Sequence, residues 1–294
     1  MKLLFTGASG FLGCNIKPLL EYTYEVKTIG LKGEDINIDL SQEIPILKDS
    51  FDIVLHAAGK AHSIPKSEFE KQSFFDVNYK GTVNLCKALK ESSLPNVFIF
   101  ISTVAVYGLE SGNSIAENSP LNGQTAYALS KIKAEEYLTN WCSQNNVTLA
   151  IIRPSLIAGS NAPGNLGAMI NGIIKDKYFS IGKGAARKSI VMVQDIALLI
   201  PLLVKKGGVY NICDDSHPSF RELEILISGQ LNKKQPLSIP YFIAKLMAVV
   251  GDLLGEKFPI NSLKLNKITK SLTFSNEKAK TELETNECFG NFES

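Results

Sequence analysis

The first thirteen residues place the strongest constraint on the fold. Residues 2–5 form a short apolar segment, which predicts a β-strand, and glycines follow at positions 7, 10 and 13. A strand, a tight glycine turn and a helix N-terminus, in this order, build the pyrophosphate site of dinucleotide-binding sheets. Gly7 permits the tight turn, Gly10 lets the backbone approach the phosphates, and Gly13 lets the helix pack against the strand. The motif therefore predicts a nucleotide site at the first strand.

Strand-like and helix-like patterns alternate along the N-terminal half. Strand patterns lie at residues 26–29, 51–56, 96–101, 149–153 and 209–212, and helical patterns lie at 11–20, 74–90 and 126–141. The segment 96–101 is almost entirely β-branched and aromatic, as expected of a parallel strand that is covered on both faces. The alternation predicts an α/β fold, a doubly wound parallel sheet of the Rossmann type with a smaller C-terminal α/β substrate lobe.

The domain organisation follows from where this pattern weakens. After Pro154 the sequence becomes less regular and richer in Gly, Asn and Pro through residues 159–164. We expect a nucleotide-binding Rossmann domain over residues 1–160, with 186–213 returning to it. The substrate-binding lobe is expected to comprise residues 161–185 and 214–294. A chain of 294 residues is long enough for both units.

Composition and charge argue against several classes of partner. The 31 basic and 29 acidic residues are well mixed and leave a formal charge of +2, which does not indicate a nucleic-acid partner. The longest apolar run, residues 196–204, is interrupted by Pro201 and is too short to cross a bilayer. Because the first strand is predicted to begin at Lys2, we expect no signal peptide, no membrane partner and a cytoplasmic location.

The five cysteines are scattered and never occur in Cys-x-x-Cys spacing; they are Cys14, Cys86, Cys142, Cys213 and Cys288. An odd number without paired spacing argues against a disulfide framework and against a zinc site. We expect free, mostly buried thiols that act as small hydrophobes, and we predict no metal ligand.

A tyrosine and a lysine four residues apart form a candidate catalytic pair. Tyr127 and Lys131 lie on one face if residues 126–141 are helical. A free phenol has a pKa of about 10 and is a poor base at neutral pH, but a nearby ammonium lowers that pKa. Tyr127 is then able to exchange a proton with a substrate hydroxyl or carbonyl while a nicotinamide exchanges the hydride. The alternative is a half-buried tyrosine beside a solvated lysine.

Two hydroxyl residues, Ser102 and Thr103, follow the strand pattern at 96–101. Ligands of doubly wound sheets bind at the carboxyl ends of the strands. Thr103 is therefore predicted to donate a hydrogen bond to the same substrate oxygen as Tyr127. The alternative is that the pair only caps the backbone at the strand end.

Together these motifs resemble the extended short-chain dehydrogenase/reductase family, in its NAD-dependent epimerase/dehydratase branch that acts on nucleotide sugars. The matching segments are, in chain order, residues 6–13, 38–40, 56–59, 78–85, 102–103, 106–108, 127–131, 153–154 and 193–197. Each segment is a weak signal alone, but their joint order is specific. The matches are strong in the N-terminal half and loose beyond Ser160.

The resemblance implies roles for the matching residues. Tyr127 would be the general acid/base, Lys131 would bind the nicotinamide ribose and tune Tyr127, and Thr103 would polarise the reacting oxygen. The implied cofactor is NAD or NADP. Its implied binding residues are Gly7, Ser9, Gly10, Phe11, Leu12, Gly13, Asp39, Leu40, Ala57, Ala58, Gly59, Ile101, Tyr127 and Lys131.

The resemblance also implies a nucleotide-sugar substrate and a homodimer formed through the helices at 74–90 and 126–141. The implied substrate-binding residues are Lys60, His62, Thr103, Asn165 and Lys188. Lys188 aligns where such enzymes usually offer an arginine to the diphosphate, and a lysine can serve there as a point charge. Two polar residues receive a structural interpretation: His56 is expected to be a hydrogen-bonded core histidine, and Asn78 is expected to brace loops at the strand ends.

Two departures from the family pattern narrow the chemistry. The 4,6-dehydratases of this branch carry Asp-Glu after the threonine, whereas this chain has Val104 and Ala105, neither of which can transfer a proton. At the end of the second strand, Gly30 stands where an acidic residue would bind the ribose 2′-hydroxyl. With Lys32 nearby, we expect NADP(H) to bind at least as well as NAD(H), unless Asp35 reaches back from the loop.

The sequence therefore predicts redox chemistry at a sugar hydroxyl, at C4, by a 4-epimerase or a 4-keto reductase and not by a 4,6-dehydratase. Two alternatives stay open. One is a reductase of a non-sugar carbonyl, because the C-terminal lobe diverges. The other is a non-catalytic NAD(P)-binding sensor, which would have no need for Thr103, Tyr127 and Lys131 together.

Overall fold

A seven-stranded parallel sheet forms the centre of the protein, and the computed structural model describes residues 1–61, 63–254 and 260–285. The strands are β1 Lys2–Thr6, β2 Glu25–Gly30, β3 Ile36–Asn37, β4 Ile53–His56, β5 Val97–Ile101, β6 Gly112–Ile115, β7 Thr148–Pro154, β8 Leu156–Ala158, β9 Ser180–Ile181, β10 Ile190–Met192, β11 Gly208–Ile212, β12 Ser238–Ile239 and β13 Leu272–Phe274. The central sheet has the order β11-β7-β5-β4-β1-β2-β3, and its neighbouring strands all pair in parallel. This order confirms the predicted doubly wound sheet.

Helices cover both faces of the sheet and build the C-terminal lobe. They are α1 Phe11–Leu20, α2 Glu68–Phe75, α3 Gly81–Glu91, α4 Ala126–Asn145, α5 Gly164–Ile174, α6 Val193–Lys206, α7 Phe220–Gln230, α8 Tyr241–Leu254, α9 Ser262–Thr269 and α10 Glu277–Leu283. The helix predicted at 11–20 is confirmed. The one predicted at 74–90 begins earlier, and a π-helix, Asp76–Lys80, interrupts it between α2 and α3.

Two apolar layers explain why the central strands are hydrophobic at every position. On β1, Leu3 and Phe5 point into the layer under α1 and α6, while Leu4 points into the layer under α3 and α4. On β5, Ile99 enters the first layer and Phe98 the second. Successive side chains of a strand point to opposite faces of the sheet. A sheet that is covered by helices on both faces therefore needs apolar residues at odd and even positions alike.

Three two-stranded sheets lie outside the central one. Strand β10 pairs with β8, β12 with β9, and β13 with β6. A separate apolar cluster under α5 and α7 includes Leu166, Met169 and Leu223, and the half-buried Phe11 of α1 packs against it. This contact sets the first turn of α1 beside the C-terminal lobe.

Candidate active site

The glycine turn after β1 has the crowding that the motif predicts. Gly7 has φ +79°, and a Cβ there would lie 2.6 Å from the backbone nitrogen of Ala58. A Cβ on Gly13 would lie 2.3 Å from the Gly7 carbonyl oxygen. Both glycines are therefore required by close packing of the turn against α1 and against the loop after β4. The Gly10 amide donates to the Gly7 carbonyl, 3.1 Å away, and closes the turn.

The first turn of α1 fits an anionic ligand. Gly10 is the N-cap, has no side chain to accept from the free amides, and is exposed together with Ser9. No acidic residue lies in the first turn. Free N–H groups at the positive end of a helix favour a phosphate, so these residues fit the pyrophosphate of a dinucleotide. Phe11 and Leu12, both half-buried, begin the helix beside this opening.

Thr103, Tyr127 and Lys131 meet at the carboxyl end of β5. Thr125 caps α4, its hydroxyl accepting from the Ala128 amide, and this start places Tyr127 in the first turn of the helix. The Thr103 side chain hydrogen-bonds Tyr127. Thr103 also accepts from the Ala105 amide at 3.1 Å, so the backbone cap named as the alternative is present. The substrate contact stays a prediction.

Lys131 is buried beneath this pair. Its Nζ donates to the Ile101 carbonyl at 2.8 Å and lies 4.5 Å from the centre of the Phe100 ring. It also borders Gly59, since a Cβ there would lie 3.2 Å from Nζ and 3.1 Å from Oδ1 of Asn78. The ammonium thus reaches the loop that is predicted to bind the cofactor.

Burial shifts the pKa values of both groups toward their neutral forms. The pKa of Tyr127 is raised by desolvation, and the hydrogen bond from Thr103 partly offsets that rise. The pKa of Lys131 is lowered to about 8 by desolvation, against the opposing charge of Glu135. Thr103, which the sequence links only to the substrate, is thus the group that favours the phenolate in the free protein.

Asn78 joins the cofactor loop to the catalytic helix. It is buried in the π-helix, its Oδ1 accepts from the Lys60 amide at 2.6 Å, and its Nδ2 donates to the Lys60 carbonyl at 3.1 Å. Nδ2 also donates to Ser130 Oγ at 2.8 Å, and Ser130 donates to the Tyr127 carbonyl. The predicted bracing role is confirmed. The wide turn of the π-helix is typical of functional positions.

His56 is a satisfied core histidine, as predicted. Thr82 donates to the Asn78 carbonyl, so its hydroxyl accepts from His56 Nε2 at 2.9 Å. His56 Nδ1 then accepts from Thr6, 2.6 Å away, whose oxygen in turn accepts from the Ala58 amide. Desolvation lowers the pKa of His56 to about 3, which keeps the ring neutral and fixes this direction of donation. This series of hydrogen bonds connects the ends of β1 and β4 to the π-helix.

At the carboxyl end of β2, a carboxylate that the sequence reading missed lies against Gly30. A Cβ on Gly30 would lie 3.2 Å from Cγ of Glu34, and Glu34 Oε1 is buried with no hydrogen-bond partner among the described residues. Asp35 is turned away: it accepts from the Thr28 amide at 2.8 Å and pairs with Lys27 at 3.6 Å. The acidic residue at this edge is therefore Glu34. In the sequence, the only indication of this role is that Glu34 lies four residues after Gly30.

Asp39 and Leu40 form the next turn at the same edge. Asp39 Oδ1 accepts from the Ser41 amide at 2.9 Å. Leu40 is buried, and its carbonyl accepts from Asn84 of α3 at 2.8 Å. The turn is thereby fixed against α3, and Asp39 stays the residue predicted to approach the adenine.

The predicted substrate residues lie on three elements. Lys60 places Nζ 5.4 Å from the centre of the Phe74 ring, which itself lies 6.3 Å from the Tyr127 ring. Asn165 is exposed in the first turn of α5. Lys188 donates to the Lys270 carbonyl at 3.0 Å. Besides Thr103, the described residue of this set that these contacts bring close to Tyr127 is Lys60. His62 lies outside the described residues.

A buried ion pair beneath the site was also missed. Arg153 on β7 donates through Nε and Nη2 to Glu135 on α4, at 3.1 and 2.5 Å. Ser102 donates to the same carboxylate, and Arg153 Nη1 donates to the Tyr107 hydroxyl at 3.0 Å. Glu135 follows Tyr127 and Lys131 at four-residue spacing, so a third polar residue on that helical face was the available signal.

The two residues directly after Thr103 carry no group able to transfer a proton. Val104 and Ala105 begin a 3₁₀ turn, Val104–Tyr107, and Ala105 is exposed. Among the described residues, no three histidine, cysteine or acidic side chains are grouped so as to hold a metal ion. The four described cysteines are free thiols, as predicted, and Cys288 lies outside the described residues.

Residues 3–213, more than half of the chain, match the NAD dependent epimerase/dehydratase family. The chain belongs to this family. It is 29% identical over 298 residues to the N-acetyl-α-D-glucosaminyl-diphospho-ditrans,octacis-undecaprenol 4-epimerase of Escherichia coli O157:H7, covering 94% of this chain and 88% of that protein. It is 28% identical to the UDP-glucose 4-epimerase of Vibrio cholerae, covering 89% and 85% of the two chains.

A solved structure agrees with the fold. The UDP-glucuronic acid 4-epimerase of Bacillus cereus, in complex with NAD, superposes with a TM-score of 0.74 at 19% identity and covers 100% of this chain and 94% of its own. In the part of the chain described here, no helix combines the length and the apolar character that a bilayer crossing requires.

Proposed function

We propose that this protein is an NAD(P)-dependent oxidoreductase or epimerase that acts at C4 of a sugar carried on a diphosphate. The observation that carries the proposal is the meeting of Thr103, Tyr127 and Lys131 at the end of β5, next to Gly59 of the loop after β4. A protein that only senses the cofactor would need the glycine turn but not a half-buried phenol hydrogen-bonded by a threonine.

Each group has a definite task in this chemistry. Tyr127 holds or takes the proton of the O4 hydroxyl, and Thr103 hydrogen-bonds the same oxygen as it gains carbonyl character. Lys131, anchored by the Ile101 carbonyl, has further N–H donors for ribose hydroxyls. The bound nicotinamide would accept or return the hydride of C4. Val104 and Ala105 offer no base for the C5 proton, so the proposal excludes 4,6-dehydration.

The relatives suggest two carriers for the sugar, a nucleotide and a polyprenol, and both attach the sugar through a diphosphate. One relative is named for a uridine diphosphate sugar and the other for a polyprenyl diphosphate sugar. A point charge at Lys188 and the free amides at the start of α5 suit a diphosphate on either carrier. The nucleotide sugar is the first substrate to test.

The decisive experiment incubates the purified protein with UDP-glucose or UDP-N-acetylglucosamine and either cofactor, and follows the sugar by NMR. An epimerase gives the C4 epimer without net cofactor consumption, whereas a reductase converts only the 4-keto sugar and oxidises one NAD(P)H for each product. Mass spectrometry of small molecules released from undialysed protein identifies a retained cofactor. No change at C4 on nucleotide or prenyl diphosphate carriers, with cofactor binding intact, would refute the proposal.

We further propose that NAD(H) is preferred over NADP(H), because of Glu34. Its buried and unpartnered oxygen suits a ribose 2′-hydroxyl donor and opposes a 2′-phosphate. The expectation of equal or better NADP(H) binding rested on Gly30 and Lys32, and it did not take Glu34 into account.

Glu34→Gln is expected to shift the ratio of NADP(H) to NAD(H) affinity toward NADP(H) by about tenfold, since a partly exposed charge contact is worth on the order of 1–2 kcal/mol. Titration of both cofactors at fixed ionic strength measures the shift. Asp35→Asn is the matched control and should leave the ratio unchanged, because Asp35 faces Thr28 and Lys27. An equal shift in both variants would argue against a specific role for Glu34.

Lys131→Met is expected to lower both turnover and cofactor affinity. In the wild type, cofactor affinity should fall as pH rises through about 8, because the ammonium donor is then lost from Lys131. In Lys131→Met the affinity should be lower and flat over that range. Cofactor titrations on both sides of that pH test this, and a wild-type profile retained by the variant would assign the titration to another group.

We also propose the homodimer that the family resemblance implies, formed through α3 and α4. The rings of Tyr79 and Tyr137 meet edge to face, 6.1 Å apart, in a surface groove also lined by Lys133 and Glu136. Lys133→Glu combined with Tyr137→Ala is expected to halve the mass measured by light scattering. The double variant of Tyr22 and Ile46 to serine, remote from α3 and α4, should keep the dimer mass. An unchanged mass in the first variant would place the interface elsewhere.

The domain division predicted from the sequence remains our proposal. All seven strands of the central sheet fall within residues 2–212, and α6 packs on the same face as α1, which supports the return of 186–213 to the Rossmann unit. A cytoplasmic location also remains a proposal, consistent with the reduced thiols described above.

A further inference from the structure

Helix α8 in the C-terminal lobe has its small residues turned inward and its large apolar residues turned outward. Ala244, Ala248 and Gly251 are its buried positions. The exposed ones include Phe242, Leu246, Val249, Val250, Leu253 and Leu254. Phe242 is 72%, Leu246 69% and Leu253 84% exposed. This is the reverse of the usual surface helix, whose large apolar side chains face the core. A contiguous apolar face of this kind marks an interaction surface.

The helix is held in place on its inner side. Ala244 and Ala248 pack against Leu265 of α9. Asp252 accepts from the amide of Ser262 at 3.0 Å and from its hydroxyl at 2.5 Å, so the acidic residue of α8 is engaged with the start of α9. The outward face of α8 is therefore left with its apolar side chains and Lys245.

The charge of this region is positive. Residues 241–270 contain five lysines, at positions 245, 257, 264, 267 and 270, against two acidic residues, at 252 and 256, which gives a net charge of +3. The apolar face is thus part of a basic segment in a chain whose overall charge is only +2. Apolar side chains on a helix with surrounding lysines complement the boundary between the headgroups and acyl chains of an anionic bilayer.

The same segment continues into the candidate diphosphate site. Lys270, which directly follows α9, accepts through its carbonyl from Lys188 at 3.0 Å. Burial lowers the pKa of Lys188 to about 8, and the charge of Lys267 on α9 adds to this shift. A partner surface bound to the outward face of α8 would therefore lie near Lys188, the residue predicted to contact the substrate diphosphate.

We propose that the outward face of α8 docks the protein on the surface of an anionic phospholipid bilayer, so that its site can take a sugar diphosphate carried on a membrane lipid. The docking stands on the exposed face and the basic segment, and only the choice of a lipid-carried substrate rests on the proposed function. It replaces the expectation of no membrane partner, which followed from the lack of a spanning segment. Peripheral docking needs no such segment.

The test is sedimentation of the full-length protein with vesicles of phosphatidylcholine, with and without phosphatidylglycerol. Wild-type protein is expected to sediment with the anionic vesicles, less with neutral ones, and less at high salt. The triple variant Phe242→Ser, Leu246→Ser and Leu253→Ser is expected to bind at least about tenfold more weakly. The matched control carries Tyr22→Ser, Ile46→Ser and Phe69→Ser, three residues that are each more than four-fifths exposed elsewhere.

Three results would overturn the docking proposal: no vesicle binding by the wild type, full binding by the α8 variant, or equal loss in the control. A fourth is a drop in oligomer mass in the α8 variant by light scattering, which would assign the face to a second copy of the chain. Binding is measured without substrate, so failure of the proposed function would not affect it. If the docking proposal and the proposed function are both correct, the α8 variant should turn over a soluble nucleotide sugar normally. It should lose activity only on a prenyl diphosphate sugar held in vesicles.

Discussion

Tyr127→Phe is expected to reduce turnover at least about a hundredfold, while cofactor affinity changes by less than about twofold. The substitution removes the hydroxyl that exchanges the O4 proton and leaves the ring that packs near Phe74, 6.3 Å away between centroids. Thr103 would remain to hydrogen-bond the reacting oxygen, but it has no partner to deliver or remove the proton. Steady-state kinetics on the substrate found by NMR, together with cofactor titration, measure the two effects separately.

The matched control is Tyr24→Phe, which removes the hydroxyl of a largely buried tyrosine at the amino end of β2, opposite the strand ends that form the site. Its turnover should stay within about twofold of the wild type. Near-normal turnover in a folded Tyr127→Phe protein would remove Tyr127 from the mechanism. A profile in which only cofactor affinity fell would instead make Tyr127 a binding residue.

The sequence predicts the sheet well because its signals are local. Leu3, Leu4 and Phe5 must be apolar at both parities in a strand covered on both faces, and Gly7 and Gly13 are required by contacts below 3 Å to nearby backbone. These requirements leave a pattern that is readable within a few residues of sequence, even where the contact itself, such as that of Gly7 with Ala58, joins distant residues. The capped start of α4 likewise follows from Thr125 and fixes the Tyr127 to Lys131 spacing.

The missed features depend on tertiary contacts. Glu34 reaches back over Gly30 because the loop between β2 and β3 folds onto the strand end, which no periodicity announces. The π-helix that holds Asn78 follows from how α2 and α3 meet α4, and its residues by themselves read as an ordinary helix. Helix α8 is rich in apolar residues, but which of its faces is covered depends on its packing against α9.

The second large effect concerns stability. Glu135→Ala is expected to lower the free energy of unfolding by about 3–5 kcal/mol, because the Arg153 guanidinium would remain buried without its carboxylate. Glu135 and Arg153 are both almost fully buried, and Ser102 loses its acceptor in the same change. Since a domain's total stability is about 5–15 kcal/mol, urea unfolding followed by circular dichroism should show a clearly lower midpoint.

Two further variants separate the buried charge from simple loss of packing. Glu136→Ala, the exposed neighbour on α4, should change stability by less than about 0.5 kcal/mol. Glu135→Ala combined with Arg153→Met should be more stable than Glu135→Ala alone, because the second substitution removes the uncompensated cation. If the double variant is instead less stable by the sum of the single effects, the cost belongs to packing. The ion pair beneath Tyr127 would then hold the end of β5 by its shape and not by its charge.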